Sequence, residues 1–199
     1  MPILLIIIII GVIGAIFLIF FLIKRKSDSS GSSENGNKDK ASIIREANKR
    51  LAQDPKDAYA LQSLAEMYYK EGNWDQAMKN YGLLMDVVAA NPELDEFDIT
   101  VKHALCAMKL KQYEIAYKNF VFARTLNADS FDVNYNLGYL EFMKKNYDKA
   151  AGLLNKARQQ KPEHPETLKY LGHSLFRMKR YKEAASMLRK TIELHPEDK

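Results

Sequence analysis

Trp74-Asp75-Gln76-Ala77, Tyr113-Glu114-Ile115-Ala116, Tyr147-Asp148-Lys149-Ala150 and Tyr181-Lys182-Glu183-Ala184 each set an aromatic residue three places before an alanine. The alanines lie 39, 34 and 34 residues apart. A period of that length marks a solenoid built from one repeated supersecondary unit. With each alanine taken as the twentieth place of its unit, other columns align. A small residue recurs at the eighth place (Ala65, Ala104, Gly138, Gly172) and a bulky apolar one at the twenty-fourth (Tyr81, Phe120, Leu154, Leu188). Leu64, His103, Leu137 and Leu171 fill the seventh, and Pro162 and Pro196 close the last two units, with Pro92 displaced in the first.

The pattern has a steric cause. Two antiparallel helices approach closely where a small side chain faces a large one. Proline then ends the second helix, because its ring clashes with the preceding turn and it lacks a donor. A single pair cannot bury its own apolar face, so stability comes from stacking neighbours.

Taken together, the small, aromatic and proline columns resemble the tetratricopeptide repeat, a helix-turn-helix family, over about residues 41 to 199. The resemblance implies an all-α, right-handed superhelix. Its repeats fall at 58–96, 97–130, 131–164 and 165–199, with a capping helix at 41–57 ahead of them. Repeat one is five residues longer than the rest, Asp86 to Asn91 extending its second helix or the loop. Repeat two is degenerate, with Thr100, His103 and Ala107 where large apolar residues are usual and Ala128 in place of proline. In repeat three Asn134 and Glu141 interrupt the apolar columns, and Glu141 with Lys144 and Lys145 reads as a solvated helix face. For the last helix pair two readings stand: Leu175, Met187, Leu188 and Ile192 leave apolar surface for a partner or a second copy, or the face is adequately polar.

Ahead of the repeats, Ile3 to Ile23 form 21 consecutive apolar or glycine residues. As a helix they would be roughly 31 Å long, which matches a bilayer's hydrocarbon core. Only Met1 and Pro2 precede the run, so an uncleaved anchor is expected rather than a signal peptide. Lys24-Arg25-Lys26 follows it directly, and the positive-inside rule then leaves the repeat domain in the cytoplasm. Gly11 and Ala15 form a small-xxx-small pair that could pack two anchors together. Residues 27–40, SDSSGSSENGNKDK, contain nothing that could build a core and read as a flexible linker with a reach of about 20 Å.

Composition and motifs narrow the function. The net charge of +5 is too weak to suggest nucleic acid. Cys106 is the only cysteine, so no internal disulfide and no cysteine-based metal site can form. His103, His164, His173 and His195 show no metal spacing, and no phosphate loop or nucleophile elbow appears. No cofactor and no enzyme activity are expected.

What remains is binding. In the family that the columns resemble, the first helices of successive repeats line a concave face, and fixed places on them contact a peptide or helix of a partner protein. Carried over, those places give Tyr59, Gln62, Glu66 and Tyr69 from repeat one, then Val101, Lys102 and Leu105 from repeat two. Repeat three supplies Tyr135, Asn136, Tyr139 and Phe142, and repeat four Lys169, Tyr170, His173 and Arg177. Aromatic side chains give large contact areas at low entropic cost, which suits adaptable recognition. The carboxylate-clamp subset of the family is not matched, because Gln62 and Glu66 stand where it uses Lys and Asn. Anchor plus repeats resembles membrane-tethered repeat proteins of bacterial envelope assembly and, less closely, mitochondrial import receptors. A self-assembling structural protein is the alternative.

Overall fold

The computed structural model describes residues 39–194. The apolar run at 3–23 and its basic flank, the linker up to residue 38, and His195 and Pro196 lie outside them. Among the described residues no helix is long and apolar enough to cross a membrane. The chain divides into two compact units after Lys49. Helix α1 covers 39–53, where a helix at 41–57 was expected.

Eight helices follow in the second unit: α2 (Ala58–Lys70), α3 (Trp74–Val87), α4 (Glu96–Lys109), α5 (Tyr113–Leu126), α6 (Phe131–Met143), α7 (Tyr147–Gln160), α8 (Pro165–Arg177) and α9 (Tyr181–Leu194). Each packs on the next, and they group as four hairpins whose first helices begin at residues 58, 96, 131 and 165. The extra residues of the first repeat end α3 at Val87 and form a short 3-10 turn, Val88–Ala90.

Local chemistry starts and stops these helices in a regular way. Asp57, Asp95 and Ser130 cap α2, α4 and α6, each accepting a backbone N–H from three residues on. Every turn inside a hairpin passes through the left-handed region at the same place: Gly72, Lys111, Lys145 and Lys179, with φ of 73, 59, 63 and 62°. The next N–H then reaches back across the helix end. Asn73 donates to the Tyr68 carbonyl, Gln112 to Ala107, Asn146 to Glu141 and Arg180 to Leu175, all at 2.8–2.9 Å.

The small-against-large rule holds in atomic detail. Ala65, Ala104, Gly138 and Gly172 are all buried, as are the four marker alanines. A Cβ on Gly138 would sit 2.7 Å from Cγ of Leu154, and one on Gly172 would sit 2.8 Å from Cγ of Leu188. These are the eighth and twenty-fourth places meeting across the hairpin, closer than any side chain on the glycine would allow.

Repeat two, degenerate in its columns, forms a hairpin of α4 and α5 in which Thr100 is fully buried and His103 is half-buried with Nδ1 3.0 Å from the Asn119 amide nitrogen. One expectation changes. Glu141 is not on a solvated face. It is 3 % exposed, and its carboxylate accepts hydrogen bonds from Tyr117 Oη at 2.7 Å and Asn146 Nδ2 at 2.6 Å. Burial works to raise its pKa, but those two donors and the nearby lysines outweigh it and hold the carboxyl below the usual range. A charge at a core position persists here because the turn after α6 and the facing helix α5 supply its donors. Asn134, also buried, donates to the Ala128 and Ser130 carbonyls and so ties down the loop between the second and third hairpins.

Candidate functional site

The predicted contact residues lie on α2, α4, α6 and α8, the first helices of the four hairpins. Their surroundings differ sharply from one end of the array to the other.

On α2 and α4 the residues mostly satisfy one another. Glu66 accepts hydrogen bonds from Lys102 Nζ at 2.6 Å and from Tyr81 Oη at 2.9 Å, and Lys102 also pairs with Asp98 at 2.8 Å. Burial tends to raise the Glu66 pKa, yet the bonds from Lys102 and Tyr81 bring it below the ordinary value. The cluster ties the first two hairpins together and closes on itself. Tyr69 is half-buried, edge-on to Trp74 and Tyr81, and burial raises its pKa. Val101 is buried and Leu105 half-buried against the second core cluster. Only Tyr59, with the Arg50 guanidinium 4.7 Å from its ring centre, and Gln62 stand exposed.

On α6 and α8 the same places gather aromatic rings. Tyr135 stacks flat on Phe131 at 5.8 Å and meets His164 edge-on at 5.1 Å; burial pushes its pKa up to about 12. Asn136 is buried and donates to the Asp132 carbonyl. Tyr139 lies edge-on to Tyr170 at 4.9 Å, and Phe142 touches both Tyr170 and Tyr147. Beside them opens a pocket of about 540 Å³ lined by Phe142, Tyr147, Lys169, Tyr170, His173, Phe176 and Arg177. Five of these seven belong to the set predicted above.

Tyr147, which the sequence offers as a repeat marker, is also a wall of this hollow. It begins α7, and the Arg177 guanidinium lies 5.4 Å from its ring centre, with Nε donating to Tyr147 Oη at 3.3 Å. The signal was present: an aromatic at the seventeenth place of every unit starts the second helix beside the last turn of the first. Among the described residues no group of His, Cys, Asp and Glu is arranged to hold a metal. The surface here offers rings, cations and an open hollow.

This geometry defines a class: an all-α array of helix pairs stacked one on the next. A family model described as tetratricopeptide repeat matches residues 59–87, and one described as anaphase-promoting complex, cyclosome, subunit 3 matches residues 116–191. The fold is that of a tetratricopeptide-repeat helical array, and residues 59–87 match that repeat directly. No curated protein matches the sequence. Among solved structures the chain is similar to MamA, with 19% identity, a TM-score of 0.64, and 78% of this chain and 88% of that one covered. It is also similar to YrrB, described as a TPR protein with an unusual peptide-binding site, with 18% identity, a TM-score of 0.66, and 77% of each chain covered. A third likeness is to MamA 41-end from Desulfovibrio magneticus RS-1, with 19% identity, a TM-score of 0.63, and 77% of this chain and 84% of that one covered. At these identities the likeness carries the fold alone.

Proposed function

We propose that this protein is a membrane-anchored adaptor that takes a peptide or helix of a partner protein on the concave face of a right-handed superhelix. Residues 3–23 serve as the anchor, residues 27–40 as the tether, and the repeats stand on the cytoplasmic side in a membrane or envelope assembly. Anchoring raises the partner's local concentration at the membrane without any new contact. The observation that carries the reading is the aromatic pocket between α6 and α8, apolar surface held open on a face whose other half is closed by its own ion pairs. The likeness to a peptide-binding repeat protein supports it.

A photoreactive residue at Tyr139 in intact cells should crosslink a discrete partner, while the same residue at exposed Phe122 on α5 should not. Equal crosslinking from both positions contradicts the groove. Carbonate extraction of membranes tests the anchor separately, since an anchored chain stays in the pellet.

A second reading, self-assembly through the last hairpin, is favoured by Phe176, Tyr181 and Ile192, each at least half exposed. Light scattering separates the two, because a monomer at micromolar concentration counts against assembly.

A further inference from the structure

We propose that the pocket between α6 and α8 receives a large apolar or aromatic side chain from a partner segment whose flanking residues are acidic. The proposal rests on the reading of this face as the partner surface and names the chemistry of the partner.

The hollow is walled by Phe142, Tyr147, Tyr170 and Phe176. Rings on several sides favour an inserted ring edge or a branched aliphatic group. A space of about 540 Å³ suits one or two such side chains and is far too small for a folded element. The occupant is therefore a short anchor within a longer segment.

The rim sets the charge. Lys169, Arg177 and His173 border the hollow, and no carboxylate lines it. Some cations of the array are matched, Lys102 by Glu66 and Asp98, Lys144 by Glu114, Lys190 by Glu163 and Arg180 by Glu183; what marks Lys169 and Arg177 is their place on the rim of an apolar hollow. Lys169 is exposed and has no carboxylate within ion-pair distance among the described residues, and Arg177 meets only the Tyr147 ring and hydroxyl. The nearest acid on α8, Glu166, sits beside His164 Nε2 at 3.4 Å. Asp148 lines the separate cleft on the other side of α7, together with Arg180 and Glu183. Two cations without a carboxylate partner on the rim of an apolar hollow are complementary to carboxylates on either side of an apolar anchor. They also leave a basic anchor or flank unpaired and repelled.

The far end of the face shows the contrast. Around Glu66 and Lys102 the charges are paired internally, two carboxylates sharing one ammonium, so a segment lying along the array meets a stretch with no free cation at that cluster and a positive aromatic hollow at the other end. The acidic part of the partner therefore lies over α8.

The test uses the full-length chain in detergent micelles and three fluorescein-labelled peptides: Gly-Glu-Glu-Phe-Glu-Glu-Gly, its Lys-for-Glu counterpart, and the acidic peptide with Ser for Phe. The acidic phenylalanine peptide should bind best, lose affinity as salt rises, and lose about tenfold or more with Lys169→Glu plus Arg177→Glu. Both side chains are exposed, so the melting temperature of that variant should stay near that of the parent; Lys169→Glu alone should give a smaller loss in the same direction. The proposal is overturned by absence of binding of the acidic peptide, by equal binding of the lysine peptide, by indifference to the charge reversal, or by displacement of the peptide by a single-stranded oligothymidine at lower concentration. If the lysine peptide binds and Tyr139→Ala abolishes that binding, the groove stands and only the partner chemistry falls. If Tyr139→Ala changes no peptide's binding, the groove itself falls.

Discussion

The third and fourth hairpins are built to the same plan and finish differently. Both have a left-handed lysine at the turn, and both seat a leucine of the second helix on a glycine of the first. Yet Leu154 of α7 is completely buried, whereas Leu188 of α9 is half-buried. Tyr147 and Phe142 are half-buried, whereas their counterparts Tyr181 and Phe176 are 56% and 53% exposed. The difference is the neighbour: α8 covers α7, and among the described residues no helix covers α9. Local chemistry makes the hairpin, but the burial that stabilises it comes from the next one.

The comparison can be broken or sharpened by mutation. Leu154→Ala should destabilise by about 3–4 kcal/mol and Leu188→Ala by about half as much, measured by urea unfolding of the full-length chain. Equal losses would mean that α8 does not seal α7. Ala150→Leu, which overpacks a fully buried crossing, should lower stability by about 1–3 kcal/mol.

Two glycines of the third hairpin should move in opposite directions. Gly138→Ala pushes a methyl into Leu154 and should lose about 1 kcal/mol net, while Gly152→Ala meets nothing within 4 Å and should gain about 0.5–1 kcal/mol from helix propensity. A gain at both sites would show that Leu154 can move aside. Lys145→Gly and Lys179→Gly should each gain about 0.5–1 kcal/mol by relieving the left-handed backbone. The two gains should match, because the turn is local and does not depend on the neighbouring hairpin.

The smallest effect is a pH dependence at the joint between these hairpins. His164 caps α8, its Nδ1 accepting the Thr167 N–H, which requires a neutral ring. Burial lowers its pKa despite Glu166, and burial also lowers that of His103. The unfolded chain therefore takes up protons first as pH falls, so stability is full above about 6.5 and declines as pH drops through the folded values. Glu66 and Glu141, with lowered pKa values, contribute a separate loss that begins only below about 4.5. Melting curves from pH 7.5 to 5.5 should show the histidine step alone, reduced in His164→Asn, which keeps a capping side chain without a titrating ring.

The hairpins were legible in sequence because the rule that makes them is steric and periodic. Eight and twenty-four places into the last two units a glycine meets a leucine at a distance no larger residue would allow. Glu141 was not legible, because its partners Tyr117 and Asn146 are 24 and 5 residues away and no local pattern pairs them. The left-handed lysines were hidden for another reason: Gly72 announces such a turn, but a lysine in its place looks like ordinary surface. Of the residues expected to contact a partner, five come together around one hollow beside α8. Sequence could not foresee that Glu66 and Lys102 satisfy each other, since that pairing spans two repeats.

Cys106 carries one more consequence. The thiol is wholly enclosed in the first core cluster, and burial pushes its pKa up to about 12, so an alkylating reagent meets almost no thiolate in the native fold. It is the sole cysteine, so the rate of iodoacetamide labelling becomes a clock for opening of the first two hairpins, readable by mass without introducing a probe.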